Sequence, residues 1–182
     1  MHNDWIRFAT IPVAAITICG NVCATEYLSV EQAQQIMFGK GASLEKSDLV
    51  FDGAARSAIT IASGVRFQHE KQPLWKVYRN GQPAGYFIVD EVYGKHQFIT
   101  YAVALDPNGQ VLQVEILVYR EHYGYEVQNP AWTAQFTGQE PGDLYSLGKE
   151  VKNISGATLS CQHLTEGVNR LLATYNYFLR SK

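Results

Sequence analysis

The stretch FITYAVALDPNGQVLQVEILVY, from Phe98 to Tyr119, decides the fold. Two runs rich in β-branched, aromatic and aliphatic residues, Phe98 to Leu105 and Val111 to Tyr119, flank Asp106-Pro107-Asn108-Gly109. Proline presets φ for a turn, and Asn and Gly accept left-handed backbone, so the segment predicts two antiparallel strands joined by a hairpin turn. Along the second run Val114, Ile116 and Val118 alternate with Glu115, Leu117 and Tyr119. Successive strand side chains point to opposite faces, so this pattern predicts one fully buried face and one partly covered face.

Working outward, Trp75, Val77 and Arg79 lead into Asn80-Gly81, a strong hairpin dipeptide, and Tyr86 to Val92 returns as a further strand. The cover for this sheet lies at the other end of the chain. From Cys161 to Leu179 the residues Leu164, Val168, Leu171, Leu172, Tyr175 and Leu179 recur at spacings of three and four, the mark of a helix with one buried stripe. Near the start, Ser29 precedes Val30, Ala33, Ile36 and Met37, and Gln32 stands where it closes a capping box, so a short helix is expected to end at Gly39. Ala54 to Arg66, with Ile59, Ile61 and Val65, fits an edge strand or a short helix. Asn129-Pro130 supplies an N-cap and a first helical residue for Ala131 to Phe136, which Gly138 ends. The expected fold class is α+β: an antiparallel β-sheet with a short N-terminal helix and a long C-terminal helix packed against it.

Chemistry gathers just before the long helix, at Ser155-Gly156-Ala157-Thr158-Leu159-Ser160. The first amides of any helix lack carbonyl partners within it, and together with the helix dipole they attract anions. Ser160, or Thr158 a turn earlier, is in place to cap the helix. Gly156 allows a positive φ where the loop must turn, and the short side chain of Ala157 leaves room for a bulky group beside Thr158. Upstream, Arg120-Glu121-His122-Tyr123-Gly124-Tyr125-Glu126 forms a polar aromatic loop.

The run Ile154 to Ser160 resembles the Ser/Thr-Gly-Ala-Thr-x-Ser/Thr motif of the FMN-binding domain family found in the NqrC and RnfG subunits of bacterial ion-pumping respiratory complexes. The resemblance extends over roughly Gln97 to Leu172 and departs at Lys152, where many members have Asp. It implies that Thr158 is esterified to the phosphate of FMN by a magnesium-dependent flavin transferase that uses FAD as donor. Ser155, Gly156, Ala157, Leu159 and Ser160 would surround the attachment, and Glu121, Tyr123 and Gly124 would correspond to a divergent flavin-lining loop. The implied function is an exported electron-transfer flavoprotein that relays electrons to or from a redox partner, either membrane-bound or a cytochrome. The alternative is a non-redox periplasmic module that holds a phosphate-bearing ligand non-covalently.

Other features bound these readings. The 182 residues suit one domain, and 46% hydrophobic with 12% aromatic residues suffices for a sizeable core. A net charge of −2, with 15 basic and 17 acidic residues and no long run of either sign, gives no footprint for nucleic acid. Residues 1–24 read as a secretory leader: Phe8 to Cys19 is mostly apolar, Val22-Cys23-Ala24 resembles a cleavage site, and the mature domain would span 25–182 in the periplasm. Ile18 and Val22 are too large for a lipoprotein cleavage box ahead of Cys19 or Cys23, and removal of the leader would leave Cys161 as a small buried hydrophobe. No His-x-x-x-His or Cys-x-x-Cys spacing points to a metal, and Gly-x-Ser-x-Gly is absent. Trp132, Tyr119, Tyr123 and Tyr125 are candidates to stack on a flavin ring, and Lys152 and His163 to approach a phosphate. His122 beside Glu121 is a candidate to tune a flavin.

Overall fold

The computed structural model describes residues 25–121 and 123–180, so the expected leader over 1–24 and His122 lie outside the described residues. Its centre is a six-stranded antiparallel sheet in the order β1-β8-β7-β6-β5-β2. The strands are β1 (Thr25–Glu26), β2 (Ala42–Lys46), β5 (Leu74–Arg79), β6 (Gln82–Tyr93), β7 (Phe98–Leu105) and β8 (Val111–Tyr119), and β3 (Leu49–Val50) pairs with β4 (Lys71–Gln72) apart from it. The helices are α1 (Val30–Phe38), α2 (Gly53–Ser63), α3 (Pro130–Thr133) and α4 (Thr158–Phe178). This is the expected α+β arrangement. Asn80 and Gly81 both take positive φ, 52° and 75°, in the β5–β6 turn, as the hairpin dipeptide requires.

Helix α1 begins with the expected capping box, in which the Ser29 hydroxyl accepts from the Gln32 amide at 3.2 Å and Gln32 Oε1 accepts from the Ser29 amide at 2.8 Å. The ambiguous segment after Asp52 is helical: Asp52 caps α2 by accepting from the Ala55 amide at 2.7 Å, and Gly64 closes it in the left-handed conformation. Ala55 and Ile59 are buried with Phe51 and Ala173 of α4. Ile61 is 83% exposed, so the period of burial is that of a helix with one covered stripe and not that of a strand.

The two faces of the sheet carry separate cores. On one face Leu74, Ile88, Tyr101, Val103, Val114 and Ile116 pack with Leu164, Val168, Leu171, Leu172 and Tyr175 of α4. On the other, Val77, Phe87, Ala102, Ala104 and Leu117 pack with Ala33 and Phe38 of α1. The simple alternation expected along β8 breaks at Leu117. Thr100 pairs with Val118 and Tyr101 with Ile116, so Leu117 is an extra residue opposite the continuous β7. Such a bulge shifts the phase of the side chains that follow it. Tyr119 therefore joins Val114 and Ile116 on the α4 face instead of following Leu117 to the α1 face.

Helix α4 also carries a buried charge. Arg170 is 3% exposed, and its Nη2 donates to Asp90 Oδ2 on β6, which also accepts from the Tyr101 hydroxyl at 2.5 Å. Arg170 Nη1 donates to Gln72 Oε1 at 3.2 Å, and Gln72 in turn donates to the Val89 carbonyl at 2.7 Å. Burial alone would push the guanidinium toward its neutral form, but the Asp90 carboxylate and the Tyr101 oxygen hold its pKa up. Removing one partner of a buried pair strands the other as an uncompensated charge, at about 3–5 kcal/mol. Arg170→Met is thus expected to lower unfolding stability by about that amount in urea denaturation. A loss under about 1 kcal/mol would show that the pair does not anchor the helix.

Candidate functional site

Three backbone segments converge at the end of β8. The first is the N-terminus of α4. Ala157 is its N-cap, at φ −117° and ψ 18°, and no side chain caps the helix. Both residues expected to cap lie inside it: Thr158 is the first helical residue, and Ser160 is buried with its Oγ 3.5 Å from the Tyr119 hydroxyl. Among the described residues the first-turn amides therefore have neither a helical carbonyl nor a side-chain cap. Gly156 turns the chain into the helix at φ +87°, with open space where a Cβ would stand, so its requirement is conformational and not one of crowding.

The second segment is the loop after β8. The Tyr119 hydroxyl, turned onto this face by the bulge, donates to the Tyr123 carbonyl at 2.6 Å. Gly124 follows at φ +80°, where a Cβ would lie 2.9 Å from both the Ala157 Cβ and the Tyr119 hydroxyl. Only glycine allows the loop this close to the start of α4. Ala157 is itself 4% exposed, and its small side chain also serves the fit against Gly124.

The third segment is the turn from β6 to β7, Gly94 to Gln97. Glu121 Oε1 accepts from the amides of Lys95, His96 and Gln97, the last two at 2.5 and 3.0 Å. Desolvation would raise the Glu121 pKa, but these amides, aided by His96, outweigh it and hold the carboxyl below its ordinary value. The three segments enclose a cleft of about 860 Å³. Its lining includes Thr158, Leu159, Ser155 and Gly156 from the helix side, Tyr123 and Tyr125 from the loop, and Lys95 and His96 from the turn. The volume is that of a site for a cofactor-sized molecule.

Residues 94–173 match the family model described as the FMN-binding domain. The chain carries an FMN-binding domain. The matched span includes all three segments of the cleft and ends within α4. Among solved structures, the crystal structure of NqrC from Shewanella oneidensis is similar in fold, with a TM-score of 0.55 at 15% identity over 80% of this chain and 85% of that one. No curated protein sequence matches the chain.

The cleft suits FMN by its donor set. A phosphate finds uncapped first-turn amides and the positive end of a 21-residue helix, and Lys95 is among the residues that line the cleft. A flat apolar ring finds Tyr123 and Tyr125, 82% and 64% exposed, and Leu159 at 43%. All nine site residues expected from the sequence line this one cleft: Ser155, Gly156, Ala157, Thr158, Leu159, Ser160, Glu121, Tyr123 and Gly124. Their roles divide, however. Thr158, Leu159, Ser155 and Tyr123 are exposed or half-buried, whereas Ala157 and Ser160 are buried and Glu121 is committed to the turn amides.

Several other candidates stand elsewhere. Tyr119 and Trp132, expected to stack on a ring, are 3% and 6% exposed, and both position backbone. His163 Nδ1 donates to the Tyr93 carbonyl and lies outside the cleft, and Lys152 borders a neighbouring hollow with Glu126 and Glu150. Cys161 is fully buried, and burial raises its thiol pKa, as befits a packing residue. Lys95 and His96 were missed. Their only local signal is a Gly94-led turn between two strands, and what brings them to the site is the long-range bond to Glu121.

A carboxylate whose folded pKa is depressed stabilises above its unfolded pKa of about 4.3 and loses that contribution as pH falls through the folded value. Glu121→Gln should therefore be less stable than the wild type at pH 7, and the two melting curves should converge as pH drops below about 4. A difference that stays constant across the titration would show that the charge of Glu121 is not what holds the turn.

Proposed function

We propose that the protein is an exported electron-transfer flavoprotein whose FMN is joined by a phosphodiester to Thr158 Oγ. The observation that carries this reading is the position of Thr158: an exposed hydroxyl on the first residue of an uncapped helix, at the edge of a cleft with cationic and aromatic walls. A phosphodiester there keeps one negative charge next to the first-turn amides and the helix dipole, typically a gain of about 0.3–1 kcal/mol for the dipole alone. FMN, when bound, supplies one- and two-electron transfer. The chain's part is to hold and shield it. First-turn amides are the donors available to the phosphate, Tyr123 and Tyr125 offer aromatic faces, and Glu121 keeps the Lys95–His96 turn closed over the loop. The resemblance to NqrC and RnfG subunits supports a flavin transferase for maturation and a redox partner, membrane-bound or a cytochrome, in the periplasm. The leader, with its Val22-x-Ala24 site, supports export.

Co-expression with a flavin transferase and measurement of intact mass tests the linkage. The wild type should gain one FMN, Thr158→Ala should gain none, and Ser155→Ala should still load. A flavin adduct that survives Thr158→Ala would move the attachment to another residue, and a wild type that binds FMN only until it is denatured would leave the non-covalent binding module as the better account. Export is read separately. The N-terminus of protein recovered from the periplasm should begin at Thr25, and a chain retaining Met1 in the cytoplasm would refute it.

A further inference from the structure

Thr158 Oγ1 already has a partner. Asn153 Nδ2 donates to it at 3.0 Å across the turn that precedes α4, in which the Ala157 amide donates to the Ile154 carbonyl at 3.0 Å. Asn153 in turn stands on a fixed base. The residue before it, Lys152, is held at both backbone groups: its amide donates to Gln135 Oε1 at 2.9 Å, and its carbonyl accepts from Trp132 Nε1 at 2.7 Å. Trp132 is nearly buried and packs edge-on against Phe136, and Val151 on the other side is fully buried. With the backbone at 151–152 clamped, Asn153 reaches toward the threonine oxygen from a fixed base on its N-terminal side.

An exposed threonine in a helix divides between two χ1 rotamers, and a donor on Oγ selects one of them. It also occupies one lone pair, leaving the second lone pair and the hydroxyl hydrogen available. We propose that Asn153 is a positioning residue for flavin attachment, presenting Thr158 Oγ to the incoming FAD. This rests on the reading of Thr158 as the acceptor. In the step itself the Thr158 Oγ–P bond forms, the anhydride bond between the two phosphates of FAD breaks, AMP leaves with the electron pair, and the hydroxyl proton passes to a base of the transferase. A neutral donor suits that step. A carboxylate at 153 would accept the threonine proton, turning it away from that base, and would place a negative charge beside the pyrophosphate.

The test is steady-state flavinylation by a flavin transferase with FAD and magnesium, followed by intact mass, with thermal melting of each variant beforehand. Both Asn153→Ala and Asn153→Asp should melt with the wild type, because the side chain is exposed. Asn153→Ala should lower kcat for loading about fivefold to tenfold, the scale of one lost hydrogen bond, with little change in KM for the chain. Asn153→Asp should be slower still. Loading of either variant at the wild-type rate would overturn the positioning role while leaving Thr158 as acceptor. So would a rise in KM at unchanged kcat, which would make Asn153 a docking contact. A wild type that acquires no flavin under the same conditions would overturn both the reading and this inference.

Discussion

The structure depends on the seating of one long helix on one face of an antiparallel sheet. Helix α4 buries Leu164, Val168, Leu171 and Leu172 essentially completely, each worth about 1.5–3 kcal/mol in transfer from water. Apolar burial is non-directional and leaves a helix free to slide or rotate on a smooth sheet. The Arg170–Asp90 contact is directional. With the Tyr101 hydroxyl and Gln72 it demands one axial position, and a slip of one residue would strand a charge in the core. Gly167 lies close by, where a Cβ would fall 2.3 Å from the Tyr101 hydroxyl, so the helix backbone rests directly on the Tyr101 side chain. Fixing α4 at this point fixes the place of its N-terminus, and with it Thr158.

The electrostatics of the cleft follow from partners more than from composition. The chain is slightly acidic, and Glu121 and Glu126 both border a site proposed to take an anion. Glu121 is compensated by three amides, so its charge closes a turn and brings Lys95 and His96 to the rim. The helix end supplies further donors, which no side chain among the described residues caps. A local concentration of N–H groups thus arises in a chain with no basic tract.

Buried polar side chains around the cleft act as struts. The Tyr119 hydroxyl holds the Tyr123 carbonyl, and Trp132 Nε1 holds the Lys152 carbonyl, each pinning the backbone next to a residue of the site. Aromatic residues with a polar tip suit this task, because the ring joins the core while the tip reaches a partner. Tyr123 and Tyr125, by contrast, are exposed and line the cleft.

Much of this was legible in the chain itself, for local reasons. Hairpin dipeptides, the Ser29–Gln32 capping box and the three-four spacing along α4 are short-range patterns whose physics involves neighbours in sequence. The loop from Ser155 to Ser160 and the loop from Glu121 to Gly124 were named as one site by resemblance, and they line one cleft. What only the tertiary structure decided were the facts that depend on a single extra residue or on a partner far along the chain. The bulge at Leu117 turned Tyr119 to the other face, a change of phase that no alternation pattern carries. Whether 54–66 was helix or strand was settled by the core of Phe51 and Ala173 that it covers, not by propensity. Glu121 finds its three amides about 25 residues back in the chain, and Asn153 reaches Thr158 from a backbone that Trp132 and Gln135 hold at Lys152. Contacts of that kind are made by geometry at a distance, and sequence spacing holds no record of them.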